Sequence, residues 1–443
     1  MKKGLILGAA AMAAVVAAPS ADAGEVKMGG YYMFRGISAD SNITTETGNA
    51  KDIAAMYHRL NIKMDFIASP KTHAHLVFRP LNSNLISSAD LGTVTDAIGT
   101  ASTPGNDWSI RQGWLETEAW GVGVKVGEMP ISLNDSILVE HDATAFGTWL
   151  LAKSFGDVTA ILAGVKAEEG SASSTTASAT PANQDDADLY ALSLLGKAGS
   201  VNWQLTGAYL DADYGSTLGT TINTVATDDV NNFWLALTLN GAMGGIDLTG
   251  TIVYEDGFSG VTPTANSVSG TWDANGFLVG LRAKGKTGFG SWSGYAFYGD
   301  EDFDSVTNDN TVWSKTWDTG GPGGQDLMGN WAAAATGSAG LLSNATKNMW
   351  GIGAGLSVKA GAWTITPHLD YAALAEDRPT GYTTNQDVSD AAWGGSIGAA
   401  TKIDTDTTFG LFGAYVDPQS GSAVGTTSID EMHILEATIK MKF

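Results

Sequence analysis

Apolar and polar side chains alternate with a period of two residues in about eighteen segments of this chain. The last segment, residues 433–443, is among the clearest. Side chains of a β-strand point alternately to its two faces, so one face is mainly aliphatic up to Phe443, whereas Glu436 and Lys440 lie on the other. About ten residues is the length of a tilted strand that crosses a bilayer, although an amphipathic strand of a soluble sandwich has the same pattern.

The connections between these segments alternate in length. Short ones such as residues 241–245 are followed by long ones such as residues 257–270. Membrane barrels have short turns on one rim and long loops on the other, and a soluble sandwich has no reason to keep this alternation. The first strand begins and the last strand ends on the short-turn side, so the number of strands must be even. We also expect the last segment to pair with the first, around residues 27–35, and so to close the sheet.

The pattern therefore predicts an all-β fold, namely a transmembrane antiparallel β-barrel with short periplasmic turns and long extracellular loops. The predicted number of strands is eighteen, with sixteen as the alternative, because residues 146–153 and 291–298 are weak strand signals. The near-neutral mean hydropathy agrees with a barrel, since the two faces of each strand average out.

Tryptophan positions provide a separate indication of a membrane. The chain has 14 tryptophans, and many of them stand at the ends of predicted strands. Trp120 and Trp292 lie beside short turns, whereas Trp149 and Trp393 lie beside long connections. Aromatic belts at the two headgroup layers produce this distribution, whereas a general preference of aromatic residues for strands does not favour strand ends.

The amino terminus has the pattern of a secretory signal peptide. A basic start precedes a small apolar stretch, and Ala21 and Ala23 have the spacing of a cleavage site. The sequence predicts a signal peptide at residues 1–23, cleavage after Ala23, and a single barrel domain at residues 24–443. The formal net charge of −23 argues against nucleic acid as a partner.

With these features the chain resembles a Gram-negative outer-membrane porin of the trimeric β-barrel type. The resemblance covers the architecture of residues 24–443 more than residue identity. It implies passive diffusion of ions and small hydrophilic solutes through a water-filled pore in the cell outer membrane. It also implies a homotrimer in contact with lipid and lipopolysaccharide, no cofactor, and assembly by the barrel-assembly machinery, which reads a terminal signal such as Phe443. The third long connection, residues 130–146, is expected to fold inward and narrow the pore.

Charged residues near this connection predict a constriction. Four arginines lie on the first four strands, toward their long-loop ends, and the inward connection carries three acidic residues. Neighbouring strands form one wall of a barrel, so a basic wall would face an acidic loop, and the resulting transverse field would filter solutes by charge. The alternative is that each arginine pairs with a local carboxylate and stiffens the wall. The predicted basic wall is Arg35, Arg59, Arg79 and Arg111, and the predicted acidic residues are Asp135, Glu140 and Asp142.

Other functions are weighed against this interpretation. A channel selective for a sugar or an organic acid has the same architecture, and a secreted β-rich adhesin or surface-layer protein represents a different class. Residues 280–287 match a phosphate-binding loop, but no helix follows them and their first half fits a strand. Two histidines on one strand face, His73 and His75, lack a third metal ligand. We therefore expect neither enzymatic activity nor a metal site.

Overall fold

The computed structural model describes residues 24–43, 51–87, 109–168, 187–212, 230–259, 272–301, 303, 348–376, 386–387, 390–419 and 427–443. The predicted signal peptide, residues 1–23, lies outside this part of the chain, and its cleavage after Ala23 stays a prediction. The described strands are β1 (Glu25–Ile43), β2 (Lys51–Ser69), β3 (Thr72–Ser87), β4 (Ser109–Ala119), β5 (Val122–Leu133), β6 (Val139–Phe155), β7 (Val158–Glu168), β8 (Ala187–Ala198), β9 (Val201–Ala212), β10 (Val230–Met243), β11 (Ile246–Ser259), β12 (Trp272–Ala274), β13 (Phe277–Thr287), β14 (Gly290–Gly299), β15 (Met349–Ala360), β16 (Trp363–Leu374), β17 (Gln386–Asp387), β18 (Ala391–Lys402), β19 (Thr407–Gln419) and β20 (Thr427–Lys442).

Eighteen of these strands form one closed antiparallel barrel, which confirms the predicted architecture and strand number. The alternative of sixteen strands is wrong, because both weak segments form barrel strands, β6 and β14. The two short strands are additions to the ring: β12 pairs with β11, and β17 pairs in parallel with β20. Among the described residues, no helix is long and apolar enough to cross a bilayer.

The first and last strands close the barrel, as the sequence predicts. β1 and β20 pair antiparallel, with Tyr31 opposite Lys442 and Ser41 opposite Met432. The pairing continues to the last residue, since the N–H of Gly30 donates to the carbonyl of Phe443 at 2.9 Å and the reverse bond measures 3.2 Å. This closure gives both β1 and β20 a paired strand on each side, so neither of them is a free edge of the sheet.

The two-residue alternation separates an outer apolar face from an interior face. In β13, Phe277, Val279 and Leu281 are exposed, whereas Leu278 between them is fully buried. Exposed aliphatic and aromatic side chains at alternate positions recur around the ring, as with Ile352 on β15. An outward apolar surface of this kind is what a lipid-embedded barrel requires.

Tight turns join the strands at the short-connection rim. Gly121 has a φ of 72°, and the adjacent Trp120, at 55°, is almost fully exposed at the level of the predicted aromatic belt. At the last short turn, the carboxylate of Asp404 accepts hydrogen bonds from the backbone N–H groups of Asp406 at 2.9 Å and Thr407 at 2.7 Å. These bonds stabilise the charged form and lower the pKa of Asp404 below its ordinary value.

The buried apolar side chains pack together inside the barrel. Fully buried members include Trp234 on β10, Leu278 on β13 and Met349 on β15. Ile137 and Leu138 belong to the same cluster, although they lie in the connection between β5 and β6 and not on a strand. The connection between β5 and β6 therefore packs against the interior wall of the barrel. Its attachment to that wall determines the geometry of the candidate functional site.

Candidate functional site

Residues 134–138 form a turn between β5 and β6, which we call the inward turn. Its first three residues have left-handed backbones, with φ of 53° at Asn134, 60° at Asp135 and 65° at Ser136. This conformation costs most residues with a side chain roughly 1–2 kcal/mol, and Asn and Asp adopt it more readily, but three such residues in succession persist only where the surroundings hold them. The sequence predicts an inward loop at residues 130–146. The structure has a much shorter turn there, because β5 and β6 both extend into that range.

Two polar contacts attach the inward turn to strands that are not neighbours of β5 or β6. The side-chain amide of Asn134 donates to the Thr238 hydroxyl on β10 at 3.2 Å. The Asp135 carboxylate forms an ion pair with the guanidinium of Arg282 on β13. Because β10 and β13 lie farther round the ring than the strands that flank the turn, the chain must cross the interior to reach them.

An apolar triplet completes the attachment. Ile137, Leu138 and Val139 are all buried, and they belong to the cluster that contains Trp234 and Leu278. Sequence reasoning concentrated on the charges of this segment and missed the triplet. The available signal was a run of three aliphatic residues that interrupts the two-residue alternation.

Arg35 is paired with a carboxylate at the closing seam of the barrel. Its Nη2 atom lies 2.5 Å from Oε2 of Glu436 on β20, and the side chains are only 6% and 9% exposed. This is the local pairing that the sequence analysis kept as the alternative. Arg35 therefore joins the first strand to the last, and its charge is largely compensated.

The other three predicted arginines lie together on the interior of β2, β3 and β4. Arg79 is close enough to Arg59 and Arg111 for electrostatic repulsion. Arg111 is the extra residue of a bulge in β4, where the register against β3 shifts between Val77 and Phe78. We call Arg59, Arg79 and Arg111 the arginine cluster.

Hydrogen bonds hold Arg79 in place on the wall. Its Nε donates to the side-chain oxygen of Asn61 at 2.8 Å, and the Asn61 amide donates to the Tyr31 hydroxyl at 2.8 Å. The ammonium of Lys440 lies 4.2 Å from the centroid of the Tyr31 ring. A cation–π contact and a chain of hydrogen bonds therefore connect β1, β2, β3 and β20 and orient the Arg79 guanidinium.

The predicted acidic residues do not form one group. Asp135 pairs with Arg282, as described above. Glu140 and Asp142 belong to strand β6 rather than to a loop, and the backbone of Glu140 pairs with Ser132 on β5. The side chains of Glu140 and Asp142 lie outside the described residues, so an acidic face opposite the arginine cluster stays a prediction.

Solved outer-membrane proteins of Pseudomonas aeruginosa have the same architecture. OpdQ has a TM-score of 0.55 at 9% identity, with 94% of this chain and 97% of that chain covered. The outer membrane protein OpdK has a TM-score of 0.54 at 10% identity, with coverage of 94% and 98%. The chain has the outer-membrane porin fold. OccK2 (OpdF), solved in complex with glucuronate, gives 0.54 at 11% identity and coverage of 95% and 98%.

No protein-family model and no curated protein matches the sequence. At identities near one in ten, the likeness to solved structures concerns the porin fold alone. The residues that line the interior must therefore be read from this chain itself.

Arg282 is an interior residue of this porin fold that the sequence analysis did not include among the predicted site residues. It lies on the face of β13 that also carries Lys284 and Lys286, within the segment that imitates a phosphate-binding loop. All three cations line a cavity of about 840 Å³ along the interior wall, together with Ser293, Tyr295 and His368. Three basic residues at alternate positions of one strand were the signal that would have identified this wall.

A row of glycines in β15 accommodates aromatic rings from neighbouring strands. A Cβ atom at Gly351 would collide with Phe297, and one at Gly353 would collide with Tyr295. The Tyr295 hydroxyl donates to the buried Asp370 carboxylate at 2.5 Å. The space that these glycines leave in the lumen is filled by rings lying against the wall. Among the described residues, no group of three or more His, Asp or Glu is arranged to hold a metal ion.

Proposed function

We propose that this chain forms a water-filled channel in the cell outer membrane, through which ions and small hydrophilic solutes diffuse passively. One observation carries the proposal: a closed ring of eighteen strands has an apolar exterior and charged residues on its interior, and the inward turn crosses that interior. Solutes are sieved by the radius of the opening and by the charges beside it, and no bond is made or broken.

The arginine cluster is the proposed charged wall of the constriction. Three guanidinium groups on adjacent strands create a positive potential, and the low-dielectric barrel around them concentrates the field lines. The hydrogen bonds that orient Arg79 support this role, because a fixed guanidinium presents its charge to passing solutes at a constant position. The sequence predicts Asp135, Glu140 and Asp142 as the opposing acidic group. Because Asp135 pairs with Arg282, only Glu140 and Asp142 are proposed to face the cluster.

Membrane targeting and assembly complete the proposal. The signal peptide at residues 1–23 directs export, and Phe443 acts as the signal for the barrel-assembly machinery. The barrel functions as a homotrimer among lipid and lipopolysaccharide. The backbone pairing of Phe443 with Gly30 supports the role of Phe443 as an assembly signal, because it keeps this residue in the barrel wall.

Electrical recording tests the proposed channel. The purified protein without residues 1–23 is added to a planar lipid bilayer in KCl, and we expect stepwise current increments proportional to the conductivity of the salt. Heat-denatured protein is the control and should give no steps. A folded barrel, verified by its faster migration on an unheated detergent gel, that never conducts would contradict the proposal.

A channel selective for an organic acid or a sugar is the second candidate. The likeness to OccK2, which was solved with glucuronate, favours a solute with a carboxylate, and the arginine cluster offers it charge-assisted hydrogen bonds. Glucuronate and neutral glucose added to the same bilayers distinguish the two functions. Saturable block of the ion current by glucuronate alone indicates a binding site, whereas equal effects of both solutes indicate simple diffusion.

Reversing two charges of the arginine cluster should change the ion preference of the channel. In the variant Arg59→Glu/Arg79→Glu, the wall attracts cations, and we expect the reversal potential in a KCl gradient to move toward the potassium equilibrium potential. The matched control is Lys71→Glu/Lys402→Glu, which makes the same change of charge at two exposed positions near the short-turn rim. An equal shift in both variants would contradict the proposal that the arginine cluster lines the constriction.

A further inference from the structure

We infer that neighbouring copies of this chain contact each other through the outer face of β20 and β1 to β5, and that Glu128 of one copy accepts a hydrogen bond from Tyr32 of the next. The inference rests on the proposed homotrimer and adds to it the contact surface and the polar pair that holds the copies together. Three features of the outer face carry it: a gap in an aromatic belt, an ionisable residue in the apolar surface, and two glycines beside that residue.

An aromatic belt surrounds most of the outer face near the long-connection ends of the strands. Each barrel strand from β8 to β19 carries one outward ring, and on β6 the ring of Trp149 lies over Gly164 of β7. Rings at this level lie among lipid headgroups, so the strands that carry them face lipid. The rings of β8 to β19 are Tyr190, Tyr209, Phe233, Tyr254, Phe277, Tyr298, Trp350, Tyr371, Trp393 and Tyr415.

The belt is interrupted over β20 and β1 to β5. The described outward residues toward this end of these strands are exposed, and none of them is Phe, Tyr or Trp. They are Leu435, Ser38, Met56, Ile110 and Pro130. Six of the eighteen strands make up one third of the ring. In a three-fold assembly each copy touches two neighbours whose directions differ by about 60°, and a contact surface of this width accommodates both of them.

Glu128 is an ionisable residue on the apolar outer surface of this arc. Its side chain is exposed and points the same way as those of Val126 and Pro130. It is the seventh residue of β5, and a strand crosses the hydrocarbon in about 9–11 residues, so Glu128 lies near the middle of the bilayer. Its carboxylate forms no hydrogen bond or ion pair within the described part of the chain. A charge at this depth is costly in lipid, and such residues in membrane proteins face protein or water.

Two glycines leave space on both sides of Glu128. Gly113 on β4 and Gly147 on β6 are its paired residues across the sheet. A Cβ atom at either glycine would meet its neighbours at 3.7 Å or more, so the packing of the barrel does not require glycine there. At the outward Gly285, by contrast, a Cβ atom would collide with the ring of Trp292. Glycine within a strand often marks the close approach of another backbone, and here that backbone belongs to a second copy.

A hydrogen-bond donor for this carboxylate lies on the other side of the same arc. The Tyr32 hydroxyl on β1 and Nδ1 of His58 on β2 are 3.3 Å apart on the outer face. When the imidazole N–H donates to the Tyr32 oxygen, the hydroxyl hydrogen points to an acceptor outside the copy. β2 and β1 are three and four strands from β5, close to one sixth of the eighteen-strand ring. One sixth of the ring is also the separation of the two contact points on each copy of a three-fold assembly, about 60°.

Tyr32 and Glu128 lie at similar depths in the bilayer. The row of paired residues that starts at Glu128 passes through Leu76 on β3 and ends at Met28 on β1. Leu76 is nearer to the start of its strand than Glu128 is, so the row descends toward β1, by roughly 3 Å per strand at a tilt of about 40°. Tyr32 is four residues above Met28, which recovers roughly 10 Å of this descent. The two side chains therefore meet when copies stand side by side in one membrane.

Disulfide formation between copies tests the contact, because the chain has no cysteine of its own. We expect Tyr32→Cys/Glu128→Cys, oxidised in native outer membranes, to run as covalent dimers and trimers on a denaturing gel and to return to single chains with a reductant. Within one copy the two positions are four strands or about 19 Å apart, which no disulfide spans. The matched control Leu235→Cys/Ile352→Cys has the same four-strand separation on the belted side and should stay uncrosslinked. Failure of the first variant to crosslink, or equal crosslinking of both, would overturn the inference.

Light scattering in detergent tests the surface by the number of copies per particle. We expect three for the unmodified protein and one for Gly147→Trp, whose indole blocks the approach of the neighbour. Gly207→Trp is the matched control on the belted side, where a Cβ atom would also meet its nearest neighbour at 3.7 Å, and it should remain trimeric. Heat-modifiable migration on a gel verifies that each barrel is folded. Trimeric Gly147→Trp would contradict the assigned surface.

Glu128→Leu tests the polar pair and does not depend on the folding of Gly147→Trp. We expect the dissociation constant of the copies to rise at least about tenfold, because a hydrogen bond to a charged group is lost. Unchanged or tighter assembly would mean that Glu128 faces lipid and would overturn the inference. An unmodified protein that is monomeric or dimeric would also overturn it but leave the proposed channel intact. A trimer that crosslinks as expected and never conducts would contradict the channel alone.

Discussion

Replacing Glu436 with alanine is expected to destabilise the barrel by about 3–5 kcal/mol. The ion pair that Glu436 forms with Arg35 is more than nine-tenths buried, so removing the carboxylate leaves a buried positive charge without its counter-charge. The cost falls on the seam between β1 and β20, which closes the ring. Urea unfolding in detergent micelles, followed by tryptophan fluorescence, measures the loss.

A double variant without either charge distinguishes the effect of a buried unpaired charge from the effect of lost packing. In Arg35→Met/Glu436→Leu, both charges are replaced by apolar side chains of similar length, and we expect stability close to that of the unmodified barrel or above it. If Glu436→Ala and the double variant are equally unstable, the seam depends on shape and the ion pair contributes little. If neither is destabilised, the closure does not depend on this contact.

Placing arginine at Leu281 is expected to cost about 2–4 kcal/mol in a lipid bilayer. Leu281 lies near the middle of β13 on the outer face, and its side chain is 52% exposed. In the membrane that exposed surface meets hydrocarbon, where a guanidinium loses its hydration. Unfolding by urea in phospholipid vesicles provides the measurement.

The matched control is Ser357→Arg, on the interior face of β15 beside the cavity. There the new guanidinium remains in contact with water, so we expect a change of less than about 1 kcal/mol. Equal losses at both positions would mean that the two faces are equally apolar. A larger loss at Ser357 would invert the assignment of lipid and lumen.

The fold was predictable because it depends on a local pattern. The alternation that ends at Phe443 defines the faces of β20, and the pairing of β20 with β1 follows from the even number of strands. Given that closure, Arg35 and Glu436 could have been matched as well, since both stand on the polar faces of strands that must be neighbours. Periodicity thus carried the prediction from single strands to the complete ring.

The constriction was only partly predictable, because it depends on contacts across the lumen. The charge of Asp135 was visible in the sequence, but its partner is set by where the inward turn ends. That position depends on the burial of Ile137 and on three left-handed residues, and the sequence Asn134-Asp135-Ser136 indicates a turn but not the direction in which it leads the chain. Arg282 lies far away along the chain, so a two-residue periodicity contains no information about the pair.

The glycines of β15 have a consequence for the electrical behaviour of the channel. Long side chains that project into a lumen rotate on the nanosecond scale and change the free cross-section as they move. Along β15 the rings of Phe297 and Tyr295 occupy the space that side chains would fill, and the bond to Asp370 stops the Tyr295 ring from turning away. Along β15 the width of the pore is therefore set by rings held against the wall. Among the described residues, we expect fluctuations of the open-channel current to originate where long side chains line the interior, as on the face of β13 that carries Arg282, Lys284 and Lys286.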